Sequence, residues 1–99
     1  MLLIAGTIRI DPSRRDELIE AAIEVGRELR KQVGCSHVAI SADLEDRGVL
    51  HLLQKWDSQT ALTANIASPR IFAIQNHIGR LGIRDMALLK YDVASIESL

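Results

Sequence analysis

Apolar residues recur along this chain with two periods, and the points where one gives way to the other divide it into elements. Over residues 2–10, Leu2, Ile4, Gly6, Ile8 and Ile10 alternate with Leu3, Ala5, Thr7 and Arg9, the period of a strand. Asp11-Pro12 breaks the extended run, and Ser13-Arg14-Arg15-Asp16 has the form of a capping box, which predicts a helix starting at Ser13. Leu18, Ala22, Val25, Leu29 and Val33 then recur at steps of three and four, flanked by Ile19, Ile23 and Gly26. That is the buried stripe of an amphipathic helix, ended by Gly34. Alternation returns over 36–42, with Val38, Ile40 and Ala42 opposite His37, Ala39 and Ser41. It resumes over 49–56, with Leu50, Leu52, Gln54 and Trp56 opposite Val49, His51, Leu53 and Lys55. The polar stretch 43–48 between them is of hairpin length. Asp57-Ser58 caps a short helix holding Ala61, Leu62, Asn65 and Ile66, and Ser68-Pro69 restarts a helix holding Phe72, Ile74, Ile78 and Leu81. Residues 84–93 form a last strand, with Ala87, Leu89, Tyr91 and Val93 opposite Met86, Leu88 and Lys90, followed by a polar tail at 94–99.

The order β-α-β-β-α-β predicts an α+β, ferredoxin-like fold: a four-stranded antiparallel sheet with its helices on one face. The strands carry apolar residues on both parities, Leu50 and Leu52 against Val49 and Leu53, so the second face also needs a cover. A second copy of the same sheet supplies one through a two-fold axis, which predicts a homodimer built as a dimeric α+β barrel.

Composition narrows the function. Ninety-nine residues make one domain with a core at 2–93 and little surplus burial. Twelve basic against 13 acidic side chains leave no basic field for phosphates or anionic lipid, so neither nucleic acid nor membrane is an expected partner. The longest uncharged apolar stretch, 1–8, falls far short of the ~20 residues of a spanning helix. No basic region precedes it as in a secretion signal, and a cytoplasmic location is expected. One cysteine, Cys35, excludes an intrachain disulfide and a thiolate metal cluster.

Several segments taken together resemble the antibiotic biosynthesis monooxygenase (ABM) family: the opening strand with Asp11-Pro12, the Gly34-Cys35-Ser36 turn, the strand ending Leu52-Leu53-Gln54-Lys55-Trp56, and Ala61-Leu62-Thr63-Ala64-Asn65-Ile66-Ala67-Ser68-Pro69. The resemblance spans 2–93 and implies the same dimeric fold, with oxygenation of quinols, anthrones or related polyketides without metal or flavin. It also implies a small aromatic substrate and no cofactor. Two positions depart from the family pattern. Gln54 stands where a Glu is frequent and Asn65 where a His is frequent, and neither amide serves as a general base at neutral pH. Trp56 and Asn65 are then the expected catalytic pair, orienting a phenol or quinone oxygen. Gln54, Phe72 and Tyr91 join them as substrate-binding residues. Heme-degrading relatives of this fold use a His ligand in the helix after the Trp; that stretch carries Asn65 and Ile66, so heme is not expected.

Two arrangements of these residues compete. Gln54, Trp56 and Asn65 line one pocket between sheet and helices, or Trp56 is a core anchor whose indole N–H is satisfied by Gln54 or Asn65. His37, His51 and His77 lack the spacing and carboxylate company of a metal site, and no metal is expected. His51 and His77 are the groups expected to titrate near neutrality. Cys35 and His37 are two apart and expected on one strand face, and Arg84 and Asp85 are expected to pair. Arg14, Arg15, Glu24, Arg27 and Lys31 read as the solvated side of the long helix.

Overall fold

Residues 1–99 are described by a computed structural model, in which the elements run β1 (Leu2–Ile10), α1 (Arg15–Arg30), β2 (Cys35–Ala42), β3 (Val49–Trp56), α2 (Gln59–Ile66), α3 (Pro69–Gly79) and β4 (Ile83–Asp92). The four strands form one antiparallel sheet in the order β2-β3-β1-β4, the ferredoxin-like arrangement. Its register keeps parity across the sheet. Val38, Gln54, Ile4 and Lys90 lie in one row and Ile40, Leu52, Gly6 and Leu88 in the next. All these residues belong to the face that the helices cover. One core cluster joins Leu2, Val38 and Trp56 of the sheet to Val25 and Leu29 of α1, Leu62 of α2 and Ile71 of α3. A second joins Ile10 and Leu50 to Leu18.

Local chemistry sets the boundaries. Asp11, rather than Ser13, caps the chain after β1: its Oδ1 accepts from the Ser13 backbone N–H at 3.0 Å and from Ser13 Oγ at 2.7 Å. Pro12 opens a single 3-10 turn over Pro12–Arg14, and α1 begins only at Arg15. The proline fixes φ one residue before Ser13, so the turn closes on the earlier carboxylate. Gly34 turns into β2 at φ +87°, and a Cβ there would run into the side chain of Ala61. Ser58 Oγ accepts from Ala61 N–H at 3.1 Å and starts α2. Arg70 on α3 grips the buried carboxylate of Glu28 on α1 at 2.7 Å, with Lys31 at 3.2 Å. These hydrogen bonds, Arg70's first, hold Glu28 below the usual carboxylate range.

Two expectations change. Cys35 pairs with Trp56 but His37 with Lys55, so Ser36 is an extra residue in β2. This bulge flips the parity: Cys35 packs against the core under the helices, while His37 falls on the other face. Arg84 turns away from Asp85 and lies 3.7 Å from Asp11, because successive strand residues face opposite ways. Exposed Arg30 donates through Nη2 to the Val38 carbonyl at 3.1 Å and ties α1 to β2.

The other sheet face is bare. Ala39, Leu53, Ala5 and Leu89 make one apolar row across all four strands, with Leu3 and Tyr91 beside it. His51 lies on this face and donates through Nε2 to Asp43 Oδ1 at 2.8 Å, while Asp43 Oδ2 accepts from the backbone N–H of Glu45 and Asp46. The His51 hydrogen bond, then those of Asp46 and Glu45, bring Asp43 down to about 2.

In Gly6→Ala the new Cβ collides with the Ala87 carbonyl oxygen of β4, and the urea midpoint is expected to fall by the equivalent of roughly 3 kcal/mol. For Asp43 the folded pKa lies below the unfolded one, so its contribution is present above the usual value of 3.8 and is lost as pH falls toward about 2. Asp43→Asn is therefore expected to be less stable than the parent near pH 6, and the gap between the two urea midpoints to close by about pH 2.

Candidate functional site

The row Ile40–Leu52–Gly6–Leu88 crosses the sheet beneath α1 and α3, and at its centre Gly6 raises no side chain. Beside it lies a cavity of about 230 Å³. The sheet contributes Ile8, Ile10, Ile40, Leu50, Leu52, Gln54, Ile83, Met86 and Leu88 to its wall. The helices contribute Leu18, Ala22, Val25 and Leu29 from α1, and Gln75 and Ile78 from α3. Apart from the two glutamines every lining residue is apolar, and none titrates. Gln75 and Met86 are the exposed members of the wall, which puts the mouth between α3 and β4.

Gln54 is the one expected site residue in this wall. Trp56 sits two residues further along β3, fully buried in the neighbouring core cluster, and its Nε1–H donates to Gln54 Oε1 at 2.8 Å. The indole is thus a core anchor satisfied by Gln54, one of the two arrangements open to the sequence. Asn65 on α2 is 5% exposed and does not line the cavity; its Oδ1 is the one buried side-chain oxygen with no hydrogen-bond partner. The expected grouping of Gln54, Trp56 and Asn65 around one pocket is therefore corrected, because the helix-facing side of β3 passes from cavity to closed core between residues 54 and 56.

Phe72 and Tyr91 stand apart as well. Phe72 is 67% exposed on α3, and Tyr91 pairs with Leu3 on the bare sheet face, across the sheet from the cavity. Sequence pattern did not single out Gln75, although a polar residue at the i+4 position from Ile71 and the i−3 position from Ile78 was the available signal. His51 and His77 both lie outside the cavity, His77 in a shallow groove with Glu24 and Ile74 between α1 and α3. Burial pushes the Cys35 thiol up, and its Sγ donates to the His37 backbone carbonyl rather than to the imidazole. No three His, Cys, Asp or Glu side chains converge. No helix is long and apolar enough to cross a membrane.

What this arrangement offers chemically is a dry wall with two neutral amides. It can hold an uncharged, largely apolar molecule and form hydrogen bonds to it; it places no side-chain acid or base beside it.

Comparison with known proteins agrees with this architecture. A protein of Deinococcus radiodurans, a candidate antibiotic biosynthesis monooxygenase, superposes with a TM-score of 0.92 at 19% identity, covering 100% of this chain and 98% of that one. Rv0793 of Mycobacterium tuberculosis superposes at 0.85 with 21% identity, covering 98% of each. A conserved Bacteroides thetaiotaomicron protein of unknown function superposes at 0.82 with 22% identity, covering 91% of this chain and 94% of that one. At such identities the likeness is one of fold. A search of curated proteins finds no match. The sequence profile of the antibiotic biosynthesis monooxygenase family matches residues 1–76, and with it the chain belongs to that family.

Proposed function

We propose that this protein is a cofactor-independent monooxygenase that oxidises a small aromatic quinol, anthrone or polyketide-like molecule held between sheet and helices, and that it works as a homodimer. The observation that carries the reading is the cavity of about 230 Å³, apolar except for Gln54 and Gln75, in a chain of this family. In such chemistry the substrate supplies the electrons. A methylene carbon of the reduced ring reacts with one O2, giving a ring carbonyl and one water, so the protein's work is to hold the substrate, keep bulk water away and admit oxygen. Gln54 contacts the substrate in this reading, and Trp56 positions Gln54 from behind the wall. Asn65, with its free Oδ1, offers an acceptor in the adjoining core. Phe72 and Tyr91 carry no role in it.

A second reading, binding without turnover, is favoured by one observation: no titratable side chain lines the cavity, so no group stands ready to take the substrate's proton. The homodimer rests on the bare face, where Ala39, Leu53, Ala5 and Leu89 line up across the sheet with Leu89 62% exposed. A second copy of the same row covers it by self-complementarity.

Two measurements test these proposals. Metal-stripped protein is expected to accelerate oxygen uptake over a panel of hydroquinones, naphthols and anthrones without added flavin. The rate is expected to fall roughly tenfold or more in Gln54→Leu and in Trp56→Phe, and also to fall in Asn65→Ala. Ligand binding with no uptake across the panel establishes the second reading instead. In sedimentation at micromolar concentration the parent is expected to run as a dimer and Leu89→Lys as a monomer. A lone chain would tolerate that surface change within about 0.5 kcal/mol, so a parent that sediments as a monomer refutes the dimer.

A further inference from the structure

Gln54 is not free to choose which end of its amide it shows the cavity. The indole N–H is a donor with no lone pair to offer, so it can be satisfied only by the amide oxygen, and the contact of 2.8 Å fixes Oε1 on Trp56. Trp56 itself is fully buried, with 0% of its surface exposed and Leu2, Val38 and Leu62 in the same core cluster. The Nε2 end makes no hydrogen bond within the chain, and Gln54 belongs to the cavity wall. The other amide, Gln75, lies at the exposed mouth, where water satisfies it equally well in any orientation. The interior of the cavity therefore has one fixed polar character, that of an N–H donor on a hydrocarbon wall.

We propose that the Trp56-held Gln54 amide is the specificity-determining group of this cavity: it selects neutral one- or two-ring molecules that present a carbonyl oxygen over those of the same shape that present a hydroxyl or no oxygen. The inference rests on the cavity being the ligand site of the preceding subsection and narrows the classes named there: it favours the keto form of a one- or two-ring molecule over a quinol or a three-ring anthrone. A ketone or quinone oxygen accepts from Nε2 and leaves nothing unpaired. A phenol can accept there too, but its own proton then lacks an acceptor turned to the cavity, because Oε1 points toward the indole, which lies outside the wall; an unpaired buried donor is costly. The space of about 230 Å³ also lies below the ~300–1,000 Å³ of sites for drug-sized ligands, which fits one or two rings rather than four. For the oxidation proposed above, the keto oxygen of the substrate sits on this donor while the new carbonyl forms at the methylene carbon elsewhere on the ring.

The test uses three molecules on one bicyclic skeleton, 1-indanone, 4-indanol and indane, titrated by NMR against the full-length protein with the cavity methyls of Leu52 and Leu88 as reporters. The parent is expected to bind 1-indanone about five- to tenfold more tightly than indane, the effect of one neutral hydrogen bond, with 4-indanol between them. Gln54→Glu keeps an oxygen for the indole but turns an acceptor toward the cavity, so the order of ketone and alcohol is expected to reverse while indane changes little. Trp56→Phe frees the amide to turn over, and the preference is expected to shrink to about twofold or less. Equal affinities for the three molecules in parent and Gln54→Glu overturn the assignment of Gln54 while leaving the cavity as a binding site. Absence of shifts at Leu52 and Leu88 with every molecule overturns the cavity reading and this inference with it.

Discussion

The hydrogen bond from Trp56 to Gln54 is the constraint on which the rest of the molecule turns. A fully buried indole cannot leave its N–H without an acceptor, and β3 supplies one from its own helix-facing side two residues earlier. That demand places a long polar side chain in the middle of an apolar layer. On one side of it Trp56 gathers all three helices and the ends of three strands into a closed core. On the other the layer stays unfilled, with aliphatic side chains around a space under α1 and α3. Core and cavity are thus two halves of one face, divided by an amide that belongs to both.

The sheet poses a complementary problem on its other side. A single antiparallel sheet of this size with helices on one face normally turns a polar face to water. Here the bare face has an apolar centre, and its polar groups, His37, His51, Lys55 and Thr7, lie to either side. Asp43, drawn into the hairpin turn, accepts a hydrogen bond from His51 on that rim. The chain's burial is shared between a face finished by its own helices and one that another sheet can finish.

Much of this is legible in the sequence, because strand parity is a strict period. The face assignments of Leu2, Ile4, Leu50, Leu52 and Trp56 follow from alternation alone, and so does the element order. What parity does not reveal is position along the face: Trp56 and Leu50 point the same way but lie at opposite ends of β3, one in closed core and the other beside the cavity. The grouping of Gln54, Trp56 and Asn65 around one pocket fails for that reason, whereas Tyr91 lies on the opposite face and Phe72 is exposed on α3. The bulge at Ser36 is invisible because one inserted residue leaves no mark on composition, yet it sends Cys35 and His37 to opposite faces. The helix start is hard to place because Asp11 and Ser13 both have capping side chains, and the proline between them decides for the first.

The burial of the lone tryptophan also has an optical consequence. With no second indole to average over, the protein's emission above the tyrosine range comes from one chromophore, shielded from soluble quenchers and joined through its N–H to the amide at the cavity wall. A molecule that pulls on Gln54 from the far side changes the polarisation of that bond without touching the ring. The fold therefore couples what occupies its interior to a fluorophore sealed away from it.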